Sequence, residues 1–191
     1  MASTFDLEKI GFYASSVVLF AMLLISSYTD WKYRRIYNKV TLPCLALGLG
    51  LAAITNFPAG LQSAALACLL GFALFLLLFM FGMMGGGDVK LVAAIGALTG
   101  YPFIWDALFF GILAGGLYAI PAAALHGRLG KILKNVFWCL WGLLIWRKMA
   151  QLDTADAIKI PYGLCLSAGT VMAFLLHHFF HISGSAIFLG R

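Results

Sequence analysis

The sequence carries very little charge. Only 10% of its 191 residues are charged, whereas 63% are hydrophobic. Because a soluble domain carries roughly 25% charged residues, this composition excludes an ordinary soluble protein. The length is enough for one bundle of five to seven membrane spans of about 20 residues each, with no room for a separate soluble domain. Residues 1–191 are therefore predicted to form a single polytopic membrane domain.

Cysteine is also scarce. The four cysteines, Cys44, Cys68, Cys139 and Cys165, are scattered through apolar stretches, and none belongs to a CxxC pair. A free cysteine in such a setting behaves as a small hydrophobic residue. The spacing indicates core packing rather than a disulfide framework or a metal site, and no metal or other cofactor is expected.

Six apolar stretches predict transmembrane helices, at about 11–29, 41–57, 61–83, 89–104, 107–125 and 161–180. Acidic residues precede the first stretch where a cleaved leader would have basic ones, so the first stretch is predicted to be a retained span. The apolar run 136–146 would make only about 16 Å of helix, too short for a hydrocarbon core of about 30 Å. It predicts an amphipathic helix lying in the interface, with a tilted or re-entrant segment as the alternative. The predicted fold class is an all-α membrane bundle of six spans plus this interfacial helix.

The basic residues predict the orientation of the bundle. The formal net charge is +6, and all but two of the 13 lysines and arginines lie in the loops 30–40, 84–90 and 126–160. Only Lys9 and Arg191 fall on the other side. The positive-inside rule therefore places these loops in the cytoplasm and both termini outside. Basic residues confined to short loops between spans indicate membrane topology, and no nucleic-acid partner is expected.

Acidic residues are the rarest charged groups, and there are only seven of them. In the predicted topology, Asp30 ends the first span and Asp88 begins the fourth, so both lie at the cytoplasmic border of the membrane. An ionisable residue at such a border is costly and indicates function. Simpler interpretations remain open for each: Asp88 could cap its helix, and Asp30 could pair with Lys32 or Arg34.

Two neighbouring carboxylates on one bundle suit peptide hydrolysis. Acids within a few ångströms of each other share a proton, because both do not ionise easily. The ionised acid can take a proton from an attacking water while the protonated acid donates to the carbonyl oxygen. Gly85, Gly86 and Gly87, just before Asp88, remove side chains from the neighbouring backbone and would let an extended substrate lie beside the acids.

Three segments resemble a known family. The run 85–90, Gly-Gly-Gly-Asp-Val-Lys, resembles the GxGD motif of membrane aspartic proteases in the form used by type IV prepilin leader peptidases. Asp30 followed by residues 35–38 resembles the family's first aspartate segment, although position 37 is Tyr where the family often has Pro. Residues 161–163, Pro-Tyr-Gly, resemble its third motif. The resemblance covers residues 11–180, with the segments in the family's order.

The resemblance implies an endopeptidase that removes the short basic leader from prepilin and pseudopilin precursors at the cytoplasmic face of the bacterial inner membrane. It implies Asp30 and Asp88 as the catalytic pair. The other residues that it implicates shape the loop or substrate site, or support it: Gly85, Gly86, Gly87, Lys90 and Asn38, then Pro161, Tyr162 and Gly163. Larger members carry an additional region with CxxC motifs and also methylate the new N-terminus. Without that region, this sequence resembles the compact Flp or tight-adherence pilus branch, so no N-methyltransferase activity is expected.

Two other classes of function remain. A small proton- or cation-coupled transporter could use the same two aspartates, with the glycine segment as an unwound break in a helix. However, such sites usually lie near the middle of the bilayer, whereas these aspartates are predicted at one face. A non-catalytic assembly factor would tolerate replacement of either aspartate by asparagine.

Overall fold

The computed structural model describes residues 2–80, 82, 84–125 and 162–180, and its regular secondary structure is helical throughout that part of the chain. The helices are α1 (Ala2–Tyr33), α2 (Asn38–Thr55), α3 (Ala59–Met80), α4 (Gly86–Thr99), α5 (Phe103–Leu125) and α6 (Tyr162–Phe180). Each overlaps one of the six predicted spans. The predicted interfacial helix at 136–146 lies outside the described residues.

Four segments of these helices are long and apolar enough to cross a membrane: Lys9–Tyr33, Asn38–Thr55, Ala59–Met80 and Phe103–Pro121. Their outward faces carry exposed apolar side chains such as Leu24, Ile54 and Leu117. The part of the chain that the structure describes is therefore all-helical, as predicted, and its apolar helices are those of a multi-pass membrane protein. Helix α4 has 14 residues, about 21 Å of helix, and is shorter than a hydrocarbon core of about 30 Å. The apolar part of α6, Tyr162–His177, is also short, so the number of six spans stays a prediction.

The short helix α4 forms the centre of the bundle. Every residue from Leu91 to Leu98 is buried, and α1, α2, α3, α5 and α6 all pack against this helix. A helix that is apolar on all sides lies in a protein core or in lipid, and here the other helices enclose it. Asp88 lies in the first turn of α4, so its carboxylate is positioned by the most enclosed element of the fold.

Glycines let the neighbouring helices reach the backbone of α4. A Cβ atom added to Gly96 of α4 would lie 2.5 Å from the carbonyl oxygen of Ala67 in α3. A Cβ atom added to Gly48 of α2 would lie 2.8 Å from the carbonyl oxygen of Ala97 in α4. Small residues drive helix association in membranes because they permit this close approach. These two crossings determine the depth of α4, and with it the depth of Asp88.

The crossing at Gly96 predicts that Gly96→Ala destabilises the bundle. The added methyl group meets backbone atoms of α3, which do not move aside as a side chain would, so the helices must separate. We expect a loss of about 1–3 kcal/mol in the free energy of unfolding, measured as a lower thermal midpoint in detergent. The matched control is Gly50→Ala on α2, where an added Cβ would have no atom within 4 Å. Equal midpoints for the two variants would contradict the prediction.

Candidate active site

Asp30 lies in the last turn of α1 and is only 7% exposed. Its Oδ2 atom accepts a hydrogen bond from the backbone N–H of Leu164, at 3.3 Å, in the first turn of α6. The first N–H groups of a helix have no partner within that helix. The Asp30 carboxylate accepts from one of them at the positive end of the α6 dipole. This interaction opposes burial, which is the larger influence on Asp30 and disfavours its ionised form.

Gly163 is what allows α6 to approach Asp30 so closely. A Cβ atom added at this buried glycine would lie 3.0 Å from Oδ2 of Asp30 and 2.8 Å from Cδ1 of Ile36. Its neighbour Tyr162 is half-buried, and the Asp88 carboxylate acts electrostatically on its phenol group. Two of the three residues expected to support the site therefore adjoin the acids, whereas Pro161 lies outside the described residues.

Asp88 is the third residue of α4 and is 9% exposed. Its Oδ2 atom accepts a hydrogen bond from the N–H of Gly85 at 3.2 Å, and its own N–H donates to the carbonyl oxygen of Gly85 at 3.1 Å. This is the carboxylate half of a capping box. The N-cap residue is thus Gly85, and Asp88 supports the cap from the helix interior rather than acting as the N-cap itself.

Burial raises the pKa of Asp88 from 3.8 to about 6, and the nearby charge of Asp30 adds to the effect. The hydrogen bond from Gly85 acts in the opposite direction, because it favours the ionised carboxylate. Near neutral pH, Asp88 therefore holds a proton far more readily than an ordinary aspartate. This is the property that general acid catalysis requires.

The two carboxylates line the same cavity, which has a volume of about 390 Å³. The rest of its wall comes from the loop between α1 and α2 and from the glycine segment: Arg34, Arg35, Ile36, Tyr37, Asn38, Gly85 and Gly87. Arg34, Arg35 and Tyr37 are exposed, so this loop forms the mouth of the cavity and the acids lie deeper. The two acids are far apart in the sequence, and the packing of α1 against α4 brings them together.

The remaining predicted residues lie around this cavity in different roles. The Nζ atom of Lys90 donates a hydrogen bond to Oδ1 of Asn38 at 2.9 Å, which links the N-terminal parts of α4 and α2. Gly87 packs against Ile36, where an added Cβ would lie 2.9 Å from the Ile36 Cβ. Gly86 faces the ring of Phe79 instead, at a distance of 3.6 Å from an added Cβ.

Sequence reasoning missed Leu164 as part of the site, and it included Ile36 only in the motif 35–38 without assigning it a role. Ile36 packs against both Gly87 and Gly163, and Leu164 contributes only its backbone N–H. A backbone donor leaves no trace in residue identity, so no sequence signal identifies Leu164. Within the described ranges, no group of three or more His, Cys, Asp or Glu side chains is arranged to hold a metal ion.

The raised pKa of Asp88 predicts a pH-dependent effect of Asp88→Asn on stability. Below pH 3.8 the carboxyl group is protonated in both the folded and the unfolded chain, so no buried charge lowers the stability of the folded state. As the pH rises through about 6, the buried group must ionise, and the wild type loses up to about 3 kcal/mol relative to a neutral side chain. Thermal midpoints in detergent should therefore favour the variant more at pH 7.5 than at pH 4. The same difference at both pH values would contradict this prediction.

Comparison with known proteins gives matches to one family, and the family model covers the segment that contains both acids. The model of the type IV leader peptidase family matches residues 17–120. The prepilin leader peptidase/N-methyltransferase of Bacillus subtilis (strain 168) is 37% identical over 119 residues, which cover 61% of this chain and 47% of that protein. The protein of the same name from Neisseria gonorrhoeae is 33% identical over 122 residues, covering 59% of this chain and 41% of that protein.

The chain spans less than half the length of these two curated relatives. No solved structure matches it. The family match covers more than half of the chain, including α2, α3 and α4 and the Asp30 end of α1. On this evidence the chain belongs to the type IV leader peptidase family.

Proposed function

We propose that this protein is a membrane aspartic endopeptidase that cleaves the short basic leader from type IV prepilin precursors, with Asp30 and Asp88 as its catalytic pair. The observation that carries the proposal is the placement of these two buried carboxylates, from α1 and α4, in the wall of one cavity. Membership of the leader peptidase family supports the same substrate class.

The surroundings of the two acids favour different roles. Burial disfavours the ionised form of both acids, and each accepts a hydrogen bond at a helix N-terminus. Asp30 also has the Arg34 guanidinium nearby, whereas Asp88 is next to the charge of Asp30, so Asp30 is the acid that ionises first. It is assigned as the ionised acid that takes a proton from water. Asp88, whose pKa is raised to about 6, is assigned as the protonated acid that donates to the carbonyl oxygen of the scissile bond.

The reaction balances with water as the only co-substrate. The water oxygen forms a bond to the carbonyl carbon, its proton passes to Asp30, and Asp88 protonates the carbonyl oxygen. Collapse of the tetrahedral intermediate breaks the C–N bond and returns a proton to Asp88, while Asp30 protonates the leaving amine. The substrate would enter as extended backbone beside Gly85 and Gly87, where no side chain obstructs it.

The location follows from the distribution of charge. The loop between α1 and α2 and the N-terminal parts of α2 and α4 hold Arg34, Arg35, Lys39 and Lys90. The site is therefore assigned to the cytoplasmic face of the bacterial inner membrane, with both termini external. There the apolar helix of a prepilin or pseudopilin would stay in the bilayer beside the enzyme. We further propose that the substrates are of the Flp type and that no methyl transfer follows cleavage.

Replacement of either acid tests the proposed function. A Flp-type prepilin is co-expressed with the wild type, Asp30→Asn or Asp88→Asn, and cleavage is followed as a mobility shift. Both variants are expected to lose activity by roughly 10³-fold, because each removes one partner in proton transfer. Asp106→Asn is the matched control: Asp106 lies in the first turn of α5, away from the cavity, and should retain cleavage at equal abundance in the membrane.

Full processing by either Asp30→Asn or Asp88→Asn would reject the catalytic pair. If the wild type left several prepilins uncleaved, the peptidase proposal would fail, and proton-flux measurements in vesicles would test the transporter. Mass spectrometry of the cleaved product checks the absence of methylation in the same samples: an N-terminal methyl group that depends on this protein would reject that part of the proposal.

A further inference from the structure

Arg34 has an unusual backbone conformation for its residue type. Its φ angle is 53°, the positive value of the left-handed region. It directly follows Tyr33, the last residue of α1, and its N–H donates to the carbonyl oxygen of Asp30 at 2.9 Å. This is the left-handed motif that closes many helix C-termini, in which the residue after the C-cap bonds to a carbonyl four residues earlier.

The residue that usually occupies this position is glycine, or sometimes asparagine. An arginine there brings its Cβ close to neighbouring backbone atoms and strains the chain. Non-glycine residues held in such conformations cluster at functional sites, where the surrounding structure maintains them. The strained backbone therefore indicates that the Arg34 side chain has a function, and its position beside the two acids indicates which one.

The side chain of Arg34 shares the cavity with both acids. Burial disfavours the ionised form of Asp30 more strongly than the hydrogen bonds from Leu164 and Gly163 and the charge of Arg34 favour it, so each favourable contribution matters. The other titratable groups around the two acids are Cys165 and Tyr162 from α6 and Arg35 and Tyr37 from the loop after α1; Asp88 itself comes from α4. On the α4 side, the ammonium group of Lys90 donates its hydrogen bond to Asn38.

We propose that Arg34 is a positioning residue for the peptidase reaction. Held by its left-handed backbone after the end of α1, its guanidinium opposes the effect of burial on Asp30, so that Asp30 ionises before Asp88 and acts on the water while Asp88 holds the shared proton. This inference rests on the proposed function. It explains why an arginine, rather than a glycine, ends this helix.

Three variants separate the charge of Arg34 from its backbone conformation. Arg34→Asn removes the charge but tolerates the left-handed conformation, and Arg34→Lys keeps the charge. The matched control is Lys32→Gln, which removes a cation two residues away. Lys32 donates to the Tyr28 hydroxyl at 3.3 Å, lies over the rings of Tyr28 and Tyr33, and does not line the cavity.

The first measurement is the pH profile of prepilin cleavage at low salt. Without the cation, Asp30 ionises less readily. The acidic limb of the profile for Arg34→Asn should therefore move to higher pH by about 0.5 units, which lowers the rate on that limb about threefold. Arg34→Lys should largely restore the limb, and Lys32→Gln should leave it in place. Because Arg34 is exposed, high salt should shrink the difference between the wild type and Arg34→Asn.

The second measurement needs no substrate and so separates this inference from the proposed function. Infrared difference spectra between each protein and the same protein carrying Asp30→Asn isolate the carboxyl band of Asp30, which is then followed as a function of pH. The band should convert to carboxylate about 0.5 pH units higher in Arg34→Asn than in the wild type. Thermal midpoints should show Arg34→Asn to be at least as stable as the wild type, because asparagine fits the left-handed position better.

The outcomes are distinct. An Asp30 band that titrates identically in the wild type and Arg34→Asn at low salt would overturn the inference, even if cleavage occurs. A uniform loss of rate at every pH would also overturn it, since that is what a purely structural role produces. An equal shift for Lys32→Gln would show that any nearby cation suffices and would reject Arg34 as the specific residue.

If the wild type cleaves nothing while the band shifts as expected, the proposed function fails, but the electrostatic link between Arg34 and Asp30 stands.

Discussion

Two carboxylates are buried together in an otherwise apolar helical bundle, and much of the structure serves to make this possible. An isolated buried charge is costly, because no water solvates it. Here each acid accepts a hydrogen bond from a backbone N–H at the beginning of a helix: Leu164 in α6 serves Asp30, and Gly85 before α4 serves Asp88. Helix N-termini are suitable partners, because their N–H groups need acceptors and their dipoles favour negative charge. The helix starts and the acids therefore stabilise one another.

The geometry of the site follows from the way the bundle packs. Helix α4 is short and fully enclosed, and the neighbouring backbones approach it at Gly48 and Gly96. Close backbone contact leaves little freedom for α4 to slide or rotate, so Asp88 is held at a defined depth. Helix α6 is brought against Asp30 in a similar way at Gly163. Glycines thus have two roles: they let helices pack closely, and they leave the backbone beside the acids free of side chains.

Sequence reasoning located the acids because charge is so scarce in this chain. Asp30 and Asp88 were the acids predicted at one border of the membrane, and a glycine segment adjoined one of them; the structure places both in one cavity. It also places Tyr162 and Gly163 beside them. The exact capping role of Asp88 was not predictable, because Gly85 and Asp88 both favour helix starts and only the backbone geometry distinguishes N-cap from N3. Likewise, the sequence shows a cation four residues after Asp30, at Arg34, but it does not show that the backbone of Arg34 is left-handed.

The sequence by itself determined the class of the protein, its approximate helix positions and the pair of candidate acids. These properties depend on hydropathy, charge and motifs, which are read from neighbouring residues. Only the tertiary structure decided that Asp30 meets the backbone of Leu164, 134 positions away, and that Lys90 meets Asn38, 52 positions away. Such contacts depend on how helices rotate and cross as they pack, and this in turn depends on the shapes of many side chains at once. The arrangement that brings both acids and Arg34 to one cavity is therefore a property of the packed bundle.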